Sequence, residues 1–510
     1  MPLSPSRRDL LKGAGAAAVG LLWASRAGAS EVARLVPSAR AAWVSAENDQ
    51  PGWAGWMSGV PAPAGMLEAY ASAPSLSGGE SLSVFVSAPR GALRARVLRL
   101  GYYQGLGARL VQTLENLAVR PQPVPAPDEL GTVDCAWSST FELPLDARYA
   151  PGQYLIRLEN EQGHFRFVPF LVRDDASRAT FLYQSSVPTW QAYNAWGGFS
   201  LYRQTDPTGS TVISNAARAE RVSFNRPYAR VFANGAGDLI GNEFPLLFLA
   251  ERLGLDLAYW TDLDLHARGA QLIQHRALLS LGHDEYYSLA MRDAVVTGVN
   301  AGVNVAFFGA NFAYRKVRFE PSANGALRLM VNYRSTADPI MASDPAQATV
   351  NWASYPADAP SSTFSGSSYG GAQGQGSLVV ADATSWLWRG TGLSDGSVLA
   401  GALGGEFNHF NPALANPPSV QIFGHSGVAG GTSDVTYSAL AGRGGVWCSG
   451  TGQWIFHLSD APRLGGRWIP NATPVTAPLE AATVNLLALY ARGAAGTTTP
   501  SQDNTAQFYA

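Results

Sequence analysis

From residue 179 onward the chain alternates short apolar runs with helical stretches, and that rhythm restricts the fold more than any other feature. Residues 179–183, 256–260, 277–282 and 303–309 read as strands. Residues 245–253 read as a helix stopped by Gly254, 270–275 look helical, and a further helix is expected from Glu285 to about Asn300. Parallel neighbours need a crossover between them, and a helix supplies it, so the pattern predicts a doubly wound parallel sheet. Ligands of such sheets sit just beyond the carboxyl ends of the strands. The residues that follow each strand are therefore the ones placed for chemistry.

The region before it has a different period. Ser81–Ser87 alternates polar and apolar side chains, as a half-buried strand does, and residues 93–100, 138–143, 153–159 and 165–172 read similarly. Tyr149-Ala150-Pro151-Gly152-Gln153-Tyr154 is a turn running into a strand, a phrase common in immunoglobulin-like sandwiches. At 510 residues the chain is too long for one ordinary core. The expected division is an all-β, immunoglobulin-like sandwich over 30–175, an α/β domain over 176–497 and a flexible tail over 498–510. Within the second domain the Ser/Gly-rich stretch 343–376 is expected to be irregular. A strand pair near Val446 and Trp454 and an amphipathic helix over 479–492 are expected to follow.

The first 29 residues read as a targeting segment. Arg7-Arg8 is followed by a weakly apolar stretch and by Ala27-Gly28-Ala29, a small-residue cleavage site. It resembles a twin-arginine signal, which implies a periplasmic or secreted protein exported already folded. The apolar part is too short to span a bilayer, and no later run is long enough either. A net charge of -2 with 15% charged residues gives no footprint for nucleic acid. Cys135 and Cys448 are far apart, in different expected domains, and are read as two separate buried thiols.

Two adjacent strand ends deliver unusual side chains. Gly282-His283-Asp284-Glu285-Tyr286-Tyr287 follows one strand and Gly309-Ala310-Asn311-Phe312 follows the next, so His283, Glu285 and Asn311 share a rim. Glu285 is either a capping carboxylate for the helix after it or a functional group. Glu406, in Gly404-Gly405-Glu406, is either a solvated loop residue or a partner to that rim. The first strand of the α/β region leads into Thr189-Trp190-Gln191-Ala192-Tyr193-Asn194-Ala195-Trp196-Gly197-Gly198-Phe199-Ser200-Leu201-Tyr202, which suits a ligand pocket or an aromatic plug between domains. Ser223-Phe224-Asn225-Arg226-Pro227-Tyr228 is a third such loop. Gly-x-Ser-x-Gly occurs at Gly366-Ser367-Ser368-Tyr369-Gly370, inside the Ser/Gly-rich stretch and not at an expected strand-to-helix elbow, and Gly424-His425-Ser426-Gly427 does not fit the pattern. No His-Glu-x-x-His and no nucleotide-binding glycine loop is present. Nucleophilic hydrolysis is thereby disfavoured, and metal assistance survives.

These segments in this order resemble the large (β) subunit of N,N-dimethylformamidase and its family. The resemblance implies a glutamine-amidotransferase-like α/β domain and hydrolysis of C–N bonds in linear amides. It also implies a mononuclear, ferric iron held by two tyrosines and a glutamate. Carried over position by position, the ligands fall on Tyr193, Tyr228 and Glu285, and the nearby catalytic residues on His283, Asn311 and Glu406. Phenolate and carboxylate are hard anionic donors that suit a trivalent cation. A metal with open positions can polarise an amide carbonyl, His283 or Glu406 can manage protons, and Asn311 can donate to a developing oxyanion. A small amide is the expected substrate, with a small partner subunit or a homo-oligomer as the expected assembly. The rival expectation is an exported protein that binds a ligand or carbohydrate through the sandwich and aromatic loops, without catalysis.

Overall fold

The computed structural model describes residues 36–231, 233–458 and 474–509. The twin-arginine segment lies outside the described residues.

Two sheets occupy the region before Arg173. The larger has Val60–Pro61, Ser75–Ser77, Gly91–Leu100, Ala108–Val119, Gly152–Asn160 and His164–Arg173; the smaller has Glu68–Ala71, Ser81–Ser87 and Phe141–Pro144. Leu82, Val84 and Val86 alternate inward and pack with Val97, Ile156 and Val168 from the larger sheet. The larger sheet's other face is also covered: Leu98, Leu155, Phe167 and Leu171 join Phe181, Tyr183 and Leu257 in a second core. With both faces buried, Gly152–Asn160 loses the alternation that one-sided strands show. The strand Ala108–Val119 was not foreseen. Among the described residues it pairs only with Gly91–Leu100, as an edge strand, and carries Gln112, Thr113, Glu115 and Asn116 on a largely uncovered surface.

The central sheet has seven strands: β1 (Phe181–Ser185), β2 (Leu257–Thr261), β3 (Ala277–Ser280), β4 (Asn304–Phe307), β5 (Gln421–Val428), β6 (Gly431–Ala439) and β7 (Gly445–Cys448). They lie in the order β2-β1-β3-β4-β7-β6-β5. Leu182 sits opposite Ala258 on β2 and Leu278 on β3, and the pairings from β2 through β7 are parallel. β7, β6 and β5 continue antiparallel, so the sheet is mixed and not wholly parallel as expected. The antiparallel part follows from a short hairpin, which needs no crossover. From β1 the chain goes to β2 on one side and then to β3 on the other. That reversal opens a crevice beyond the carboxyl ends of β1 and β3.

The helices that matter here are α1 (Val187–Tyr193), α2 (Phe244–Arg252), α3 (Asp262–Arg268), α4 (Leu289–Asn300) and α5 (Thr476–Tyr490). α5 is not amphipathic as expected. It is buried on nearly every side, Leu479, Val484, Leu487 and Tyr490 included, because it packs inside the larger core. Residues 270–275 form a short tight helix, Gly269–Gln274.

Three further expectations are corrected. α4 starts at Leu289 and not at Glu285, because Ser288 caps it by accepting from Met291 N at 3.2 Å. Tyr286–Ser288 instead pairs in parallel with Arg315, Lys316 and Val317. The Ser/Gly-rich stretch is irregular only in part: Ser368–Val379 is a long strand paired antiparallel with Val398–His409, the strand that carries Glu406. Its glycines erase the side-chain alternation that would reveal it, and the register shifts between Tyr369 and Gln373 and again between Gly376 and Leu378. Trp454 lies in a turn beside Ile455–His457 and not in a strand. Of the tail residues, Asn504 Oδ1 accepts from Ile422 N at 2.7 Å and Tyr509 donates to Asp434. Cys135 and Cys448 are free and buried, in separate clusters. Among the described residues no helix is long and apolar enough to cross a membrane.

Candidate active site

Two glycines bring the strand ends together. Gly282, with φ of +60°, turns the chain after β3, and a Cβ on Gly309 would lie 1.8 Å from Gly282 O. The turns after β3 and β4 therefore touch backbone to backbone, which only glycine permits at that position. Asn311 follows in the left-handed region, with φ of 55°, a conformation asparagine tolerates better than most residues. Its main-chain N–H donates to Asn408 Oδ1 at 2.7 Å, tying the turn to the Glu406 strand.

Glu285 lies at the floor of the crevice, 1% exposed. Its backbone is fixed first: its N–H donates to Thr189 Oγ1 in α1 at 3.0 Å, and its carbonyl accepts from Tyr314 N and Arg315 N at 3.0 and 2.9 Å. Its carboxylate is then ringed by donors. Tyr193 Oη donates to Oε2 at 2.9 Å, while Tyr202 Oη lies 2.8 and 2.7 Å from the two oxygens. Arg315 Nε donates to Oε1 at 3.2 Å. Tyr286 Oη donates to Tyr202 Oη at 2.9 Å and accepts from Arg334 Nη2 at 3.1 Å.

A polar wall faces this floor. His283 Nε2 lies 2.7 Å from Glu406 Oε2 and 3.6 Å from Glu285 Oε2. Asn311 Nδ2 is 3.4 Å from the same imidazole nitrogen, and Gln373 donates to Glu406 Oε1 at 3.2 Å. The His283 and Glu406 side chains keep about a fifth of their surface open to solvent, at 22% and 19%. A buried anionic floor and an accessible acid–base wall thus share one crevice.

Charge follows from this packing. Burial and the adjacent Glu285 carboxylate push the Tyr193 phenol well above its ordinary range, and burial with Glu285 does the same at Tyr202. Burial disfavours a charged ring at His283, but Glu406 and Glu285 outweigh it and lift the pKa to about 9. Burial would raise Glu406, but the His283 charge holds its carboxyl below the usual value. At neutral pH the wall is an imidazolium–carboxylate pair.

The crevice thus gathers five of the six residues singled out from sequence: Tyr193, His283, Glu285, Asn311 and Glu406. Tyr228 lies elsewhere. Its ring meets Trp190 at 6.1 Å, and its hydroxyl has no hydrogen-bond partner among the described residues. The reason is the job done by its loop. Arg226 donates to the carbonyls of Asn194, Trp196 and Phe199, and Asn194 Nδ2 donates to Pro227 O. The loop braces the Tyr193 segment from behind. The second phenol on Glu285 is Tyr202, whose ring stacks on Tyr193 at 4.2 Å. Gly197 and Gly198, with φ of +84° and +106°, reverse the chain between the two tyrosines. That Gly pair was the sequence signal for Tyr202. Tyr286 lay within the singled-out segment Gly282–Tyr287, while Arg315 and Arg334 carried no signal.

Among the described residues, no group of three His, Cys, Asp or Glu side chains is arranged to hold a metal ion. The oxygen set of Tyr193, Tyr202 and Glu285 is a different kind of site. It offers two phenol oxygens and a carboxylate gathered on one point, all of them hard oxygen donors once the phenols lose their protons. The donors present therefore fit a hard, highly charged ion.

A family model described as N,N-dimethylformamidase beta subunit-like, C-terminal, matches residues 94–466. The chain belongs to that family. The match to this dimethylformamidase β-subunit-like family takes in most of the larger amino-terminal sheet, the central sheet and every residue of the crevice. No curated protein matches the chain. Among solved structures, a β-glucosidase from Listeria innocua in complex with glucose is similar at 14% identity and a TM-score of 0.13, over 21% of this chain and 16% of that one. A cycloisomaltooligosaccharide glucanotransferase from Paenibacillus, complexed with cycloisomaltoheptaose, is similar at 10% identity and a TM-score of 0.16, over 53% and 34%. The chain thus spans well under two thirds of either.

Proposed function

We propose that the protein is an exported, iron-dependent hydrolase that cleaves the C–N bond of a small linear amide. The observation carrying this is the convergence of the Tyr193 and Tyr202 hydroxyls on the two oxygens of buried Glu285. Those three residues would hold the ion, and bound there it would supply Lewis-acid polarisation of the amide carbonyl. Tyr202 takes the place that resemblance gave to Tyr228.

The remaining groups act on protons and position. His283 carries a proton at Nε2, directed at Glu406, on the solvent side of the crevice. As a water oxygen adds to the carbonyl carbon and the C–N bond breaks, His283 can pass its proton to the departing amine nitrogen and regain one from that water, with Glu406 holding the ring in register. Asn311 Nδ2, beside the same nitrogen, is placed to donate to the carbonyl oxygen as it gains negative charge. Arg315 and Tyr286 hold Glu285 and Tyr202 in place, so the donor set is organised before substrate arrives.

Under this proposal residues 30–175 are an immunoglobulin-like domain and 176–497 a glutamine-amidotransferase-like domain. The twin-arginine segment exports the folded, loaded protein to the periplasm. The β-subunit family suggests a small partner subunit. The test is metal analysis of protein exported in its native host, alongside hydrolysis of formamides and acetamides. Near-stoichiometric iron with amide hydrolysis abolished in Glu285→Gln supports the proposal. Metal-free protein whose activity survives Glu285→Gln refutes it.

A further inference from the structure

Behind α1, where it meets the larger amino-terminal sheet, a cavity of about 40 Å³ is lined by Tyr70, Gln153, Ser185, Arg226, Tyr228 and Arg328, among others. One water needs roughly 10–15 Å³ of such space, so the cavity holds about three waters or one small ion, and no sugar or aromatic ring.

Its wall carries two guanidinium charges that a single nearby carboxylate, Asp134, offsets only in part. Arg226 and Arg328 are 1% and 5% exposed, and neither forms an ion pair among the described residues. Arg226 is satisfied by main-chain carbonyls and Gln191 Oε1. Arg328 donates through Nε to Asn225 Oδ1 at 2.7 Å and through Nη2 to Phe224 O at 3.1 Å. Its Nη1 has no partner, and neither does the Tyr228 hydroxyl, among the described residues. Both residues face the cavity.

The acids nearby offset only part of that charge. Asp134 accepts from Ser223 Oγ at 2.6 Å and Asn225 Nδ2 at 2.9 Å, neutral donors that leave its charge in place, and that one negative charge acts on both Arg226 and Arg328. Burial pushes Glu243 to about 8, so it is largely protonated at neutral pH. Asp238, whose field reaches Tyr228, is also turned to His283. Burial lowers both guanidinium pKa values only to about 10, so both groups remain cationic.

We propose that this cavity binds one small monovalent anion, a halide or a formate-sized carboxylate, held by Arg328 Nη1 and Tyr228 Oη. A buried charge is ordinarily paired, and here two guanidiniums share one carboxylate while two uncommitted donors line a space the size of such an ion. The site stands apart from the Glu285 crevice and does not depend on its chemistry.

The test uses the full chain in buffer whose only anion is bulky gluconate, titrated with sodium bromide and separately with sodium formate. Unfolding temperature is followed, and crystals soaked in bromide are examined for anomalous scattering. Wild-type protein is expected to show a saturable rise with at least one ion and, if bromide binds, a peak between Arg328 and Tyr228. A response to formate alone supports a carboxylate site, and a response to bromide supports a halide site. Tyr228→Phe is expected to weaken the ion about tenfold while leaving the anion-free unfolding temperature unchanged, since its hydroxyl has no bond to lose. Arg328→Gln is expected to abolish binding; if it does not fold, Tyr228→Phe alone decides. No saturable rise with either ion, or undiminished affinity in Tyr228→Phe, overturns the proposal.

Discussion

Replacing Gly309 with alanine puts a methyl group into the contact that assembles the crevice. The new Cβ would lie 1.8 Å from Gly282 O and 2.9 Å from its carbonyl carbon, where real Cβ contacts essentially never fall under 3.0 Å. The two turns must therefore part by more than 1 Å. Neither side is a flexible side chain, so relief has to come from backbone. Overpacking costs about 1–3 kcal/mol where side chains can adjust, and the upper end, about 3 kcal/mol, applies here. The same displacement carries His283 away from Asn311, now 3.4 Å apart. Urea unfolding measures the loss directly, with the slope checked for an unchanged transition. Gly427→Ala is the control: nothing lies within 4 Å of its new Cβ, and a change within ~0.5 kcal/mol is expected. A Gly309→Ala protein as stable as wild type would refute the reasoning that these turns are in backbone contact.

In metal-free protein, Glu285→Gln should lower stability by about 3 kcal/mol, because Arg315 and the two phenols lose their anionic acceptor in a nearly dry site; an unchanged urea midpoint would contradict this. Ser288→Ala should cost about 1 kcal/mol through loss of the α4 cap, and a neutral result would move the helix start back towards Glu285. The hydrogen bond to Asp434 raises the His425 pKa above its ordinary value. Its contribution is therefore complete below about pH 6.5 and lost as pH rises through the folded value. The stability gap between wild type and His425→Gln should shrink from pH 5.5 to 9, and a widening gap would reverse the sign.

What could be read in the sequence depended on whether local pattern or chain reversal set the outcome. Ser81–Ser87 was legible to the residue, because one covered face imposes period two. The strand ends carrying His283 and Asn311 were legible because strand–helix alternation fixes which ends meet. Ser368–Val379 was not, since its glycines carry no side-chain period and its partner lies beyond a long connection. The start of α4 was misread because Glu285 is an acceptable cap in isolation, while the pairing of Tyr286–Ser288 with Arg315, Lys316 and Val317 is set elsewhere in the chain. Tyr228 and Tyr202 differ for the same reason. Only the reversal at Gly197 and Gly198 decides which phenol reaches Glu285.

Iron content and the visible spectrum of wild-type, Tyr202→Phe and Tyr228→Phe protein, prepared side by side, bear most directly on the site. Wild type should carry near-stoichiometric iron and a tyrosinate-to-iron charge-transfer band. Tyr202→Phe should lose most of the iron and shift or abolish the band, while Tyr228→Phe keeps both. A band that survives Tyr202→Phe and disappears in Tyr228→Phe, or wild-type protein without metal, would contradict the assignment.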